Sequence, residues 1–181
     1  MKTITTILCL FMLHQSHAQI SGMNNWKTQM DLRFFSTLQY PPDWVVEDIS
    51  EDGYIIRSPA ESDTDHYREN IALFAMEVPD SAMVPGVKNF AEMSYIQNKE
   101  IVKDIRLMVH KDVVMNGIPM YLLVYNGVVN GQYLYFKQLY CLYKNGAFVL
   151  TYTGQAGKED RFKIVSGDML NSFRPNNVMR N

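Results

Sequence analysis

The sequence predicts an α+β domain in which a central antiparallel β-sheet meander is sandwiched between helices. Met120, Leu122 and Val124 fall on one side of an extended run, and Tyr121, Leu123 and Tyr125 on the other. An antiparallel sheet with one wet face alternates apolar with polar residues, so this strand needs cover on both faces. Four Asn-Gly pairs, at 116–117, 126–127, 130–131 and 145–146, punctuate residues 106–155 as hairpin turns punctuate a meander. Four pairs cannot all be two-residue turns. Two stretches, 87–105 and 159–173, carry apolar residues at helical spacing and supply the covers.

Taken in order, residues 1–18 read as a cleaved export signal. Lys2 gives the positive start, residues 4–13 the short apolar run, and Ser16-His17-Ala18 the small residues before a cut ahead of Gln19. The run is about half the roughly 20 residues a membrane-spanning helix needs, and no later segment reaches that length. The expected location is the periplasm or beyond the cell. Residues 19–30 are polar and aperiodic and read as a flexible lead-in. A domain over 31–174 follows, then a frayed tail over 175–181.

Within the domain, 31–38 reads as a first strand closed by the turn Tyr40-Pro41-Pro42-Asp43. Extended pieces at 44–47 and 53–57 are split by the turn signal Ser50-Glu51-Asp52-Gly53, and a polar loop runs over 58–70. Residues 71–78 form a dense apolar strand ending at Pro79. The segment Met83-Val84-Pro85-Gly86 reads as an apolar loop ahead of the helix. That helix presents Val87, Phe90, Ala91, Ser94, Asn98, Ile101, Val102 and Ile105 on one stripe. The last helix uses Phe162, Val165, Met169, Leu170 and Phe173, and Pro175 stops it.

Composition narrows the function. Lys2 is the only charge in 1–18, so 16 of the 17 basic and all 19 acidic residues remain, a formal charge of −3. That balance points to neither nucleic acid nor an anionic membrane as partner. Removing the signal takes Cys9, His14 and His17 with it. Cys141 is left alone, which excludes a disulfide within the chain, and only His66 and His110 carry imidazoles. Cys9 sits inside the apolar run behind Leu8, not after it behind a small residue, so no lipid anchor is expected there.

The ordered motifs resemble the PsbP-like family. Tyr40-Pro41-Pro42-Asp43-Trp44 is similar to its Tyr-Pro-x-x-Trp signature. The run Gly53-Tyr54-Ile55-Ile56-Arg57-Ser58-Pro59 follows, then Glu69-Asn70-Ile71 and the long helix. Asn116-Gly117-Ile118-Pro119-Met120-Tyr121 comes next. Ala147-Phe148-Val149-Leu150-Thr151-Tyr152 and Asn171-Ser172-Phe173 close the series. The resemblance covers roughly residues 31–174. It implies a central antiparallel sheet flanked by helices, and members that mostly bind other proteins without catalysis. This family spans photosystem subunits, bacterial envelope lipoproteins of the DcrB type and a Ran-binding import factor. It has no shared active site to carry over, and its DcrB-type members are lipid-anchored where this chain is not expected to be.

The expected function is therefore a non-catalytic envelope module that binds a protein partner, with no catalytic residue and no cofactor. The meander holds Tyr121, Tyr125, Tyr133, Tyr135, Tyr140, Tyr143 and Tyr152. Tyrosine suits interfaces because it joins a rigid apolar body to a polar tip, and it also suits strands. Tyr133, Tyr135 and Lys137, with Tyr121, are the candidate partner-binding residues. The alternative is a small-ligand or metal-binding module, with Glu61, Asp63, Asp65 and His66 as ligands for a hard or borderline cation. That loop lacks the glycine and closing glutamate of a calcium loop. A third reading makes Cys141, with His110, a nucleophile, against the ordinary reading of a packed cysteine in an apolar strand.

Overall fold

The structure, a computed structural model, describes residues 23–65, 67–78 and 86–175. A short 3-10 turn, Met23–Asn25, leads into β1 (Lys27–Asp31) and β2 (Ser36–Tyr40). Then come β3 (Val45–Ser50), β4 (Gly53–Arg57), β5 (Asn70–Glu77) and helix α1 (Val87–Ile101). The meander is β6 (Lys103–Met115), β7 (Ile118–Val129), β8 (Gln132–Tyr143) and β9 (Gly146–Gln155). Helix α2 (Glu159–Asn171) and a short β10 (Arg174–Pro175) finish the chain.

Seven strands form one antiparallel sheet in the order β3-β4-β5-β9-β8-β7-β6. Residues facing each other across an antiparallel pair share a face, so register assigns every side chain to a side. On the α2 face, Ile56, Ile71, Tyr152, Leu150, Leu139, Cys141 and Met120 pack with Met169, Leu170 and Phe173. On the α1 face, Tyr121, Leu123, Tyr125, Leu134, Phe136 and Tyr140 pack under Ala91, with Phe90 and Tyr95 beside them. The two-sided apolar pattern is thus explained by two cores, one on each side of a shared sheet.

A second sheet, β1-β2-β10, covers part of the α2 face, and the sequence pattern did not separate it. Leu38 and Tyr40 of β2 enter that core, with Trp44 just beyond the strand. The expected single strand over 31–38 is two strands around a turn at 32–35. Asp31 causes the break: its Oδ1 accepts the N–H of Arg33 at 2.8 Å and of Phe34 at 3.1 Å. Where a loose lead-in was expected, β1 pairs with β2 from Lys27↔Tyr40 to Asp31↔Ser36.

The Asn-Gly pairs separate cleanly. Asn116-Gly117 and Asn130-Gly131 have both residues at positive φ and make the two-residue turns β6–β7 and β7–β8. The β8–β9 turn is Lys144-Asn145, one residue earlier than the pair at 145–146. Asn126-Gly127 lies inside β7 and is no turn. Gly127 is there for clearance, since a Cβ would run into the Val102 side chain and approach Lys103 O to 3.0 Å. This close crossing also ends α1. Val102 is extended, Asp104 takes φ 51°, and the expected helical Ile105 belongs to β6.

Candidate functional site

Cys141 and His110 do not form a catalytic pair. Cys141 on β8 is fully buried in the α2-side core, opposite Met120 and Phe148. Burial pushes its thiol up to about 12, far from the thiolate a nucleophile needs. His110 pairs with Leu123 of the α1-side core, and its Nδ1 lies 3.4 Å from the Tyr121 hydroxyl. Thiol and imidazole thus project from opposite faces.

The acidic loop is built for its own closure. Asp65 Oδ2 accepts the N–H of Glu61 at 2.9 Å and Oδ1 that of Tyr67 at 3.1 Å, which hold its carboxyl below the ordinary range. Glu61 pairs with Arg161 Nε at 2.5 Å and Lys158 Nζ at 4.0 Å, strapping the loop to the start of α2. Asp63 is exposed, and His66 lies outside the described residues. Among the described residues no cluster of His, Cys, Asp or Glu is placed to hold a metal ion. Glu61 and Asp65 are already occupied with folding.

The structure brings this loop, Tyr135 and Tyr152 to one end of the sandwich, around the first turn of α2. Ser58 N–H donates to Glu69 O at 2.8 Å, extending the β4–β5 ladder by one pair. Glu69 is buried, and Gln155 N–H reaches its Oε1 at 3.4 Å; Glu69 Oε2 and Ser58 Oγ have no hydrogen-bond partner among the described residues. Burial raises the Glu69 carboxyl, and Glu61 and Asp65 add to the rise. Tyr152 is buried too, and its phenol is raised by burial and then by the Glu69 charge.

The four candidate partner-binding residues do not share a surface. Tyr121 is 2% exposed, in the α1-side core, so it offers no contact to a partner. Tyr135 is half-buried on the α2 face, edge-on to Tyr152 at 6.2 Å. Lys137 is half-buried on that same face, between Val124 and Tyr152 in register. Only Tyr133 stands out, at 49% exposed. Tyr140 and Tyr125 anchor α1 through a buried polar network. Tyr140 donates to Gln138 Oε1 at 2.7 Å and shares a hydroxyl–hydroxyl contact with Ser94 Oγ at 3.0 Å, while Asn98 donates to Gln138 and Tyr125, each at 3.2 Å. Most of the tyrosine row is structure.

The open apolar surface is elsewhere. Helix α1 lies mainly over β6, β7 and β8. A helix is about 10 Å across and strands are about 4.8 Å apart, so one helix covers two or three strands. On the remaining half of that face, Phe74 and Met76 of β5 are each 41% exposed and Val45 of β3 is 51% exposed. Ile55 and Ala72 pair beside them, half-buried, and the Arg57–Glu47 ion pair, at 2.8 Å, borders the stripe. The sequence signal was present: β5 is apolar on both sides, and two helices cannot cover both faces of a wide sheet.

No family model matches the chain, and no curated protein matches it. Solved structures do. A cyanobacterial PsbP, CyanoP of Synechocystis sp. PCC 6803, superposes with a TM-score of 0.65 at 14% identity, covering 86% of this chain and 95% of its own. The Ran-binding protein Mog1p of Saccharomyces cerevisiae gives 0.56 at 11% identity, over 83% and 95%. LpqN of Mycobacterium tuberculosis, described as involved in cell envelope biogenesis, gives 0.52 at 11% identity, over 83% and 84%. The chain has the PsbP-like fold, the fold that the Tyr40-Pro41-Pro42-Asp43-Trp44 series implied.

Proposed function

We propose that the protein is a non-catalytic module of the cell envelope that binds a protein partner through the open half of its α1 face. The observation that carries this reading is Phe74 and Met76 of β5, with Val45 of β3, standing exposed together on the half of the sheet that α1 leaves open. A contiguous apolar surface on a soluble domain marks a site of interaction. The burial of Cys141 and the separation of His110 from it support a role without nucleophilic chemistry. Among proteins of this fold, Mog1p is described as Ran-binding, which supports a binding role for the scaffold.

The envelope location rests on residues 1–18, which lie outside the described residues. Lys2, the apolar run and Ser16-His17-Ala18 support a cleaved signal. Among the described residues no helix is long and apolar enough to cross a membrane. An intact mass beginning at Gln19 without lipid is the expected result, and a lipidated Cys9 contradicts it.

Affinity isolation from an envelope extract tests the binding surface. Phe74→Glu with Met76→Glu should abolish recovery of a stoichiometric partner, while Tyr133→Ala should leave it intact. Loss with Tyr133→Ala alone moves the interface to the end of the sandwich by α2. Recovery by both variants alike removes the apolar stripe from the account.

A further inference from the structure

We propose that the other side of the sheet carries a second docking site, a basic-rimmed strip along β6 that takes an extended acidic segment of a partner protein. It does not rest on the Phe74 surface, which faces the opposite way.

The strip begins with Lys137. Its side chain lies half-buried on the α2 face, and no described residue offers it a hydrogen bond or an ion pair. The charged group acting on it is a second cation, Lys163 of α2. Burying an ammonium beside another without a carboxylate is unfavourable, and burial with that repulsion lowers Lys137 from its ordinary value. The nearby acids are committed: Asp160 pairs with Lys163 at 3.6 Å, and Glu159 accepts the Gly157 N–H at 3.0 Å.

Two more cations extend the strip. Arg106 faces Asn126, and Lys111 faces Leu122, each on the α2 face by register. Both are exposed, and neither has an ion pair among the described residues. Between these cations and Lys137 the floor is Leu122 and Val124, half-buried and buried. The acidic loop sits on the other flank of α2, held by Lys158 and Arg161. Charge is therefore divided across the helix, with the cations on the β6 side.

What favours a peptide over a lipid is the demand for hydrogen bonds. Among the described residues β6 pairs only with β7, so its outer edge presents free backbone donors and acceptors. An acyl chain supplies no partners for that edge. Bulges at 103–106 and 107–109 distort the first part of the edge, which leaves 109–115 as the regular stretch. A strand added there presents every second side chain on the α2 face, beside Val109 and Lys111. Acidic residues at those positions meet the cations, and apolar residues meet Val109.

Fluorescence anisotropy with the purified protein tests this, using a labelled octapeptide of alternating glutamate and valine and a matched octapeptide of lysine and valine. The acidic peptide should bind and weaken with salt, and the basic one should not bind. Arg106→Gln with Lys111→Gln, both on exposed side chains, should weaken binding roughly tenfold or more. Lys137→Met should weaken it too, and amide shifts on titration should map to β6. Phe74→Glu should leave it unchanged, which separates failure here from failure of the other surface. Absence of binding, or binding indifferent to the double variant, overturns the proposal. So does saturable binding to phosphatidylglycerol vesicles without binding to the peptide.

Discussion

Cys141 and His110 lie on opposite faces of the seven-stranded sheet, the thiol under α2 and the imidazole beside Tyr121 on the side of α1. No rotamer change brings them together, because alternation along a strand fixes the side on which each residue projects. The native protein should therefore be inert to thiol reagents at neutral pH and react only on unfolding. Rapid labelling of Cys141 in the native state contradicts this. Cys141→Ser leaves a buried hydroxyl in an apolar core and should cost about 1–3 kcal/mol, while Cys141→Ala should preserve partner binding.

Glu69 makes stability depend on pH in an identifiable direction. Burial raises its carboxyl. The folded chain then keeps a proton that the unfolded chain has lost. This contribution is full below the unfolded value of about 4.3 and is lost as pH rises through the folded value. Asp65, held low by backbone N–H groups, acts with the opposite sign, losing stability as pH falls. Comparing wild type with Glu69→Gln from pH 4 to 8 isolates the first effect. The variant should gain relative stability as pH rises, and a constant difference contradicts it.

The network under α1 should be worth more than its exposure suggests. Gln138 is 7% exposed, joined to Asn98, Tyr140 and Thr151. Asn98→Ala strips a donor from both Gln138 and Tyr125 and should cost about 1–3 kcal/mol by denaturant melt. A loss near zero means that α1 is held by Phe90 and Ala91 alone.

Gly127→Ala should destabilise by about 1–3 kcal/mol, because the new methyl meets Val102 and the chain crossing behind it. Gly167→Ala is the control, with no atom within 4 Å of the added Cβ. It should be neutral or stabilising, since alanine outranks glycine inside a helix. Equal effects of the two substitutions contradict the crowding argument.

The fold was legible in the sequence because its signals are local. Asn116-Gly117 and Asn130-Gly131 mark hairpins, and Met120 to Tyr125 announce two covered faces. What local pattern could not show was pairing at a distance. Asp31 gives no sign that it splits a strand until its carboxylate is seen on Arg33 and Phe34. Gly127 reads as a turn until Val102 is seen crossing it. The candidate site was less legible, since tyrosine is a strand residue and an interface residue alike. Only tertiary position separates buried Tyr121 from exposed Tyr133. The exposed Phe74 was hidden inside an apolar strand for the same reason.

The central claim is that a partner sits on Phe74 and its neighbours. A photo-crosslinking benzoylphenylalanine in place of Phe74, irradiated in intact cells, tests it most directly, with the same probe at Ile164 on the outer side of α2 as reference. One discrete adduct with an envelope protein is expected from position 74 and none from position 164. No adduct at 74, or the same adducts from both positions, contradicts it.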